Sequence, residues 1–191
     1  MRNYLTARTF AREYGTLLGG AWIVMFAGAL TSVRTGNAFA SIVMILGGVA
    51  CLILPFFFAL RYKNKPFNVE EGITFFHAVY FSFIMYFYAS MIAAATTFIY
   101  FQWMDNGAFI DGLYAAIDEL EKNQQNLPQG MPGMLIKEKA LIDEIASLDI
   151  KPIEQALAMF NQCLFCGIIG SLLTSFFAKR EPGMPTPPPM P

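Results

Sequence analysis

The sequence predicts an all-α fold: a polytopic membrane protein with four transmembrane helices and a periplasmic helical hairpin between the third and fourth spans. Three observations lead to this prediction. Of the 191 residues, 55% are hydrophobic and 14% are charged, whereas soluble domains usually carry about 25% charged residues. Asp, Glu, Lys and Arg are absent from four long stretches. The segment between the last two of these stretches is acidic and amphipathic.

The four uncharged stretches comprise residues 14–33, 35–60, 72–104 and 155–178. Each is long enough to cross a bilayer, because a transmembrane helix needs about 20 apolar residues. A helix is also the only open segment that satisfies its own backbone hydrogen bonds in lipid. We therefore expect three spans within residues 14–104 and a fourth over residues 155–178.

The third span is longer than a bilayer requires. As a helix, the stretch from Ile73 to Trp103 would measure roughly 45 Å, whereas the hydrocarbon core is about 30 Å thick. Aromatic residues, which favour membrane interfaces, cluster at both of its ends. We expect tilt and interfacial ends to accommodate the extra length.

A cleaved signal peptide is the alternative interpretation of the N-terminus. Arg2, Arg8 and Arg12 precede an apolar run, and the sequence AFA at 38–40 is typical of a signal-peptidase site. The apolar run is longer than a usual signal core, and Arg34 separates it from that site. We therefore expect the first span to be retained.

The distribution of Lys and Arg predicts the orientation, because short cytoplasmic loops are enriched in both. Basic residues occur in the N-terminal segment 1–13, in the loop that follows the second span, and at the start of the Pro-rich tail 179–191. Residues 105–154 contain ten acidic residues and only four lysines. We expect both termini to be cytoplasmic, segment 105–154 to be periplasmic, and the tail to be extended or disordered.

Segment 105–154 contains two amphipathic patterns separated by a Gly- and Pro-rich loop at 123–133. The first apolar stripe consists of Phe109, Leu113, Ile117 and Leu120. The second consists of Leu135, Ile142, Ile145 and Leu148. Two interpretations stay open: the stripes pack on each other and on the membrane surface, or they form a docking surface for a partner.

Small residues at four-residue spacing occur in three spans and predict close helix packing, because such residues let backbones approach in lipid. They are Gly15 and Gly19 in the first span, Ala89 and Ala93 in the third, and Gly167 and Ser171 in the fourth.

His77, the only histidine, is the strongest candidate for chemistry. In a helix that begins at Gly72 it would lie about one and a half turns inside, with Glu70 and Glu71 nearby. Ionisable residues inside membranes are functional candidates, and a histidine beside a carboxylate can relay protons. The alternative is a structural role at the hydrated interface.

Asn161 and Gln162 are costly to bury in lipid, so we expect them to hydrogen-bond across helices or to line a polar cleft. Cys163 and Cys166 have the spacing of a redox or zinc motif, but they lie inside a span and no further ligand is near them in sequence. We interpret both cysteines as apolar filler. The sequence therefore predicts no catalytic residue, no cofactor and no metal, and its net charge of -1 predicts no nucleic-acid partner.

The stretch EGITFFHAVYFSFIMYFYASMIAAATTFIYFQWMD resembles the central signature of the family labelled domain of unknown function 4199. The stretches EYGTLLGGAWIV and GIIGSLLTSFFAKR extend the resemblance to both ends of the chain. The resemblance implies a four-helix protein of the bacterial inner membrane, found largely in Bacteroidetes, without an established activity. It also implies a candidate partner, because members often neighbour a family 2 glycosyltransferase gene.

Two functional hypotheses follow. The leading one is a non-catalytic inner-membrane protein, a scaffold or accessory subunit for a membrane partner such as a glycosyltransferase, or a homo-oligomer. The alternative is a membrane enzyme or carrier that acts on a lipid-linked substrate near His77.

Overall fold

The computed structural model describes residues 2–65, 68, 72–122, 131–148 and 150–179. These residues form six helices and no strand. The helices are α1 (Arg2–Thr35), α2 (Ala38–Lys63), α3 (Phe75–Trp103), α4 (Ala108–Lys122), α5 (Met131–Ser147) and α6 (Pro152–Ala178). Four of them, α1, α2, α3 and α6, are long and apolar enough to cross a membrane. The prediction of an all-α fold with four apolar spans is thus confirmed.

Helix α1 begins well before the expected start of the first span. Residues 2–13, expected as a separate N-terminal segment, form its first turns. Ala7 and Ala11 are completely buried there. Helix α6 likewise begins at Pro152 rather than at residue 155. Proline favours the first position of a helix, and the Glu154 carboxylate accepts a hydrogen bond from the Lys151 backbone N–H at 3.2 Å.

A tight connection makes α1 and α2 antiparallel neighbours. Gly36 adopts a φ of 61°, a conformation that glycine tolerates better than other residues. Asn37 then caps α2 by accepting a hydrogen bond from the Phe39 backbone N–H at 2.8 Å. The hydroxyl oxygens of Ser32 and Ser41 lie 2.6 Å apart and join the two helices next to this turn.

Helix α3 is the centre of the bundle, since it packs extensively against both α1 and α6. Helix α2 packs mainly on α1, contacts α6 less, and meets α3 chiefly through Tyr62 near its C-terminal end. An aromatic cluster fills the core at the end of the bundle where α2 finishes. In this cluster the rings of Tyr14 and Phe58 stack at 4.8 Å, and those of Tyr62 and Phe81 stack at 4.0 Å.

Helices α4 and α5 pair with each other, and α4 also packs on α1. The Asp105 carboxylate accepts a hydrogen bond from the Phe109 backbone N–H at 3.0 Å and so helps to start α4. Tyr114 on α4 donates a hydrogen bond to Asp143 on α5 at 2.7 Å. Lys139 lies 3.7 Å from both Asp118 and Glu121. The helical pair is present, whereas its periplasmic location stays a prediction.

The predicted apolar stripes of this pair are only partly buried. Ile117 and Ile142 are buried, but Ile145 is 37% exposed and Leu148 is 55% exposed. Leu148 lies beyond the end of α5. Both interpretations of the stripes, packing on the membrane surface or docking of a partner, stay open. Residues 131–133, expected to belong to the loop, are helical. Residues 123–130, the tail beyond Lys179 and the side chains of Leu120 and Leu135 lie outside the described part of the chain.

Candidate functional site

His77 lies in the first turn of α3 rather than one and a half turns inside it. Gly72 has a φ of 75°, which is incompatible with an α-helix, so the helix starts only at Phe75. Thr74 is the N-cap, and its hydroxyl accepts a hydrogen bond from the His77 backbone N–H at 3.3 Å. His77 is half-buried. The expected depth of His77 in the helix was therefore wrong, because the helix cannot start at Gly72 and begins only at Phe75.

The His77 ring contacts a tyrosine that is completely buried. The Tyr62 hydroxyl and His77 Nε2 lie 3.1 Å apart. Tyr62 is fixed by its stack on Phe81 and by Asn68, whose side-chain amide donates to the Tyr62 carbonyl at 2.7 Å. This arrangement can orient the imidazole and select its tautomer. We name Tyr62, Asn68 and His77 the His77 cluster.

Glu70 and Glu71, the expected carboxylate neighbours of His77, lie outside the described residues. Their proximity to the imidazole therefore stays a prediction. The structure shows a phenol, that of Tyr62, next to the ring, and the sequence does not indicate this contact. Tyr62 precedes His77 by fifteen residues and lies on another helix, so no local motif indicates this pairing.

Asn161 and Gln162 lie on an exposed face of α6. The Gln162 amide is 3.9 Å from the Cys166 sulfur within the same helix. The expected hydrogen bonds across helices are not found for these residues in the part of the chain that the structure describes. The physical reason is the helical phase: the face of α6 that meets α3 carries Gly167, Ser171 and Thr174, which are buried.

The predicted small residues lie at the interfaces of α3. A Cβ at Gly19 would lie 2.8 Å from the Ile92 side chain on α3, and one at Gly167 would lie 2.7 Å from Cβ of Tyr86. Ala93 and Ser171 are almost completely buried. Ala89 is also buried, at 8% exposure. These residues allow α1 and α6 to approach α3 closely, as expected for helices that associate in lipid.

A cavity of about 390 Å³ lies among the four long helices. Helix α1 contributes Leu18 and Trp22; α2 contributes Cys51, Leu52 and Phe56; α3 contributes Tyr86, Ala89, Ser90 and Ala93; and α6 contributes Cys163, Cys166, Gly167, Ile169, Gly170 and Leu173. We name it the α2–α6 cavity. All three cysteines of the chain line it.

The α2–α6 cavity opens sideways, between α2 and α6. Leu52 on α2 is 73% exposed, and both Ile169 and Leu173 on α6 are about half exposed. Next to the cavity, the rings of Phe56 and Phe177 meet at 5.6 Å, and Lys63 donates a hydrogen bond to the Phe177 carbonyl at 3.0 Å. Helices α2 and α6 therefore touch near their C-terminal ends, beside an opening.

The sequence does not reveal this cavity. Its lining is apolar, and apolar residues in a span look alike whether they face lipid, another helix or a void. One signal was available, since all three cysteines occur within spans. Their convergence on one cavity depends on helix rotations that the sequence does not specify.

The four long apolar helices are characteristic of a multi-pass helical membrane protein, and this is the class to which the fold points. The chain belongs to the family described as Protein of unknown function (DUF4199), whose model matches residues 13–180. The resemblance drawn from the sequence is thereby confirmed. No curated protein and no solved structure matches the chain.

Proposed function

We propose that the protein is a non-catalytic protein of a bacterial inner membrane, and that it serves as a scaffold or accessory subunit for a partner membrane protein. The observation that carries this proposal is the opening between α2 and α6. Helix α3 is covered on two sides by α1 and α6, whereas α2 is attached chiefly to α1. Helix packing is thus incomplete at the opening, and a transmembrane helix of a partner could bind there.

The lining of the α2–α6 cavity suits a side chain from such a helix. Ala89, Ser90 and Ala93 are small and form its inner wall. In lipid, helix association depends on close van der Waals contact rather than on hydrophobic burial. A large apolar side chain that enters a cavity walled by small residues would gain many such contacts. The family resemblance supports a family 2 glycosyltransferase as the candidate partner.

A second candidate function is supported by the same cavity. Its walls are mostly apolar and it opens towards the expected hydrocarbon region, so a lipid chain could enter from the side. Binding pockets for small molecules typically have volumes of about 300–1,000 Å³ and apolar walls. The protein would then be a membrane enzyme or carrier for a lipid-linked substrate, and the His77 cluster would be its candidate chemical group.

Site-specific photocrosslinking in native membranes separates the two functions. A photoreactive residue at Leu173 faces the α2–α6 cavity, whereas one at Phe165 is exposed elsewhere on α6. The scaffold proposal predicts one discrete protein adduct from Leu173 and none from Phe165. Cys166→Trp, which fills the cavity, should abolish that adduct while the protein still accumulates in the membrane.

Other results would contradict the scaffold proposal. A lipid adduct of defined mass from Leu173, without a protein adduct, would support the second function instead. Equal protein adducts from Leu173 and Phe165 would show that the opening has no special role in partner binding.

A further inference from the structure

One face of α2 changes from apolar to cationic as the helix approaches its C-terminal end. Ile53, Phe57 and Leu60 are exposed there, and Arg61 and Asn64 follow on the same face. Their spacing of three to four residues places them in one row along the helix. We name this row the α2 stripe. Cys51, Leu52 and Phe56 line the α2–α6 cavity instead, so the α2 stripe is a separate surface.

An open pocket of about 490 Å³ lies at the cationic end of the α2 stripe. Its lining consists of Phe57, Leu60, Arg61, Asn64 and Lys65. Two apolar side chains thus lie beside two cations and an amide. A ligand that fits this lining has a hydrocarbon part and an anionic part.

The basic residues at this end of α2 differ in the contacts that their side chains make. The Lys63 ammonium donates a hydrogen bond to the Phe177 carbonyl and does not line the pocket. The Lys65 ammonium lies 4.6 Å from the centre of the Phe10 ring, which holds it near the pocket by a cation–π contact. Arg61 is exposed, and it makes no salt bridge with the residues whose placement is described. The exposed Arg61 side chain can reach a ligand in the pocket that it lines.

We propose that this pocket binds the phosphate of an anionic phospholipid. The planar Arg61 guanidinium presents paired N–H donors that match two phosphate oxygens, and Lys65 contributes a second positive charge. Asn64 offers an amide to the rest of the headgroup. Phe57, with Ile53 beyond it, supports the first part of an acyl chain.

The apolar half of the lining decides between a lipid and a soluble anion. Inorganic phosphate would use Arg61 and Lys65 but would gain nothing from Phe57 and Leu60. Those two side chains lie at the end of a helix that is long and apolar enough to cross a membrane, so an acyl chain would meet them beside the headgroup region. The pocket therefore fits a phospholipid better than a free anion.

Native mass spectrometry of the full chain in detergent tests the proposal. The protein is mixed with phosphatidylglycerol or with phosphatidylcholine of the same acyl chains, and the retained lipid is counted. We expect a preference for phosphatidylglycerol that Arg61→Gln lowers by about fivefold, the effect of removing one basic residue from an anionic membrane surface. Lys179→Gln is the matched control, because Lys179 is exposed just beyond the end of α6 and does not line the pocket.

Three results would overturn the proposal. The first is an unchanged preference in an Arg61→Gln protein that keeps its wild-type circular dichroism. The second is an equal loss in Lys179→Gln, which would indicate attraction to net charge alone. The third is displacement of phosphatidylglycerol by an equal concentration of inorganic phosphate, which would identify a site for free anions.

Discussion

Gly15 on α1 lies directly against Met85 on α3, so that a Cβ at residue 15 would lie 2.5 Å from the Met85 carbonyl oxygen. The same Cβ would lie 2.8 Å from Cβ of Tyr88. Neither atom belongs to the free end of a flexible side chain. The approach of α1 to α3 at this point therefore requires glycine.

Replacing Gly15 with Ala should destabilise the bundle, because the added methyl group forces the two backbones apart. Overpacking of this kind costs about 1–3 kcal/mol. Gly20→Ala is the matched control on the same helix, since a Cβ at Gly20 meets nothing within 4 Å. Thermal unfolding in detergent should show a lower midpoint for Gly15→Ala and little change for Gly20→Ala. Equal midpoints would show that the two helices are not packed this closely.

The buried hydroxyl groups of Ser82 on α3 and Thr174 on α6 should be energetically coupled. Their oxygens lie 3.0 Å apart, and both residues are completely buried. A double-mutant cycle with Ser82→Ala and Thr174→Val should give a coupling of about 0.6 kcal/mol, the average for such bonds between membrane helices. Thr16→Val serves as a control, because its exposed hydroxyl donates to the Arg12 carbonyl within the same helix. Strictly additive effects of the two changes would contradict the prediction.

His77→Gln should leave the function of a scaffold nearly intact, because a glutamine can still hydrogen-bond with the Tyr62 hydroxyl. The variant removes the imidazole, which is the candidate group for proton transfer. The measurement is partner assembly or growth in a strain that carries only the variant, with its membrane level checked by immunoblot. Loss of function at normal abundance would favour the lipid-linked alternative and make the His77 cluster its active site. Tyr62→Phe would then be the next variant to test.

The contact between α4 and α5 should depend on pH in the alkaline range. The hydrogen bond that Tyr114 donates to Asp143 raises the pKa of the Tyr114 phenol. A raised pKa means that the folded protein favours the protonated phenol. The contribution of this bond is therefore complete below the usual tyrosine pKa of about 10 and is lost as the pH rises through the raised value. An NMR titration of Tyr114 should show a higher pKa in the native protein than in Asp143→Asn. Identical titrations would disprove the contact.

Cysteine labelling should report the predicted orientation. In a background without Cys51, Cys163 and Cys166, an impermeant reagent applied to intact cells should modify a cysteine placed at Glu144 and spare one at Asn64. The reason is that Lys and Arg near the end of α2 favour the cytoplasmic side. Both positions are exposed in the structure, so intrinsic burial would not explain a difference. The opposite labelling pattern would reverse the topology.

The spans could be predicted because their signal is one of composition, which every bilayer-crossing helix must satisfy. The glycine contacts were expected as a pattern, yet their partners were not: spacing does not indicate that Gly167 meets Tyr86. The depth of His77 differs from the prediction because Gly72, which lies at the start of the uncharged stretch, has a positive φ and does not belong to the helix. The polarity of Asn161 and Gln162 predicts hydrogen bonds across helices or a polar cleft, whereas the structure shows both residues on an exposed face of α6.

The central position of α3 has a consequence for biogenesis. Its long interface with α6 includes the bond between Ser82 and Thr174, which are 92 residues apart in the sequence. Helices α4 and α5 must be synthesised before α6 reaches the membrane. The face of α3 that later packs against α6 is therefore uncovered at first. Translation thus leaves an interval in which Ser82 lacks its native partner and other helices can occupy that face. Insertion of the last span therefore competes with the binding of other helices to α3. A membrane chaperone that shields α3 during this interval would raise the yield of native protein.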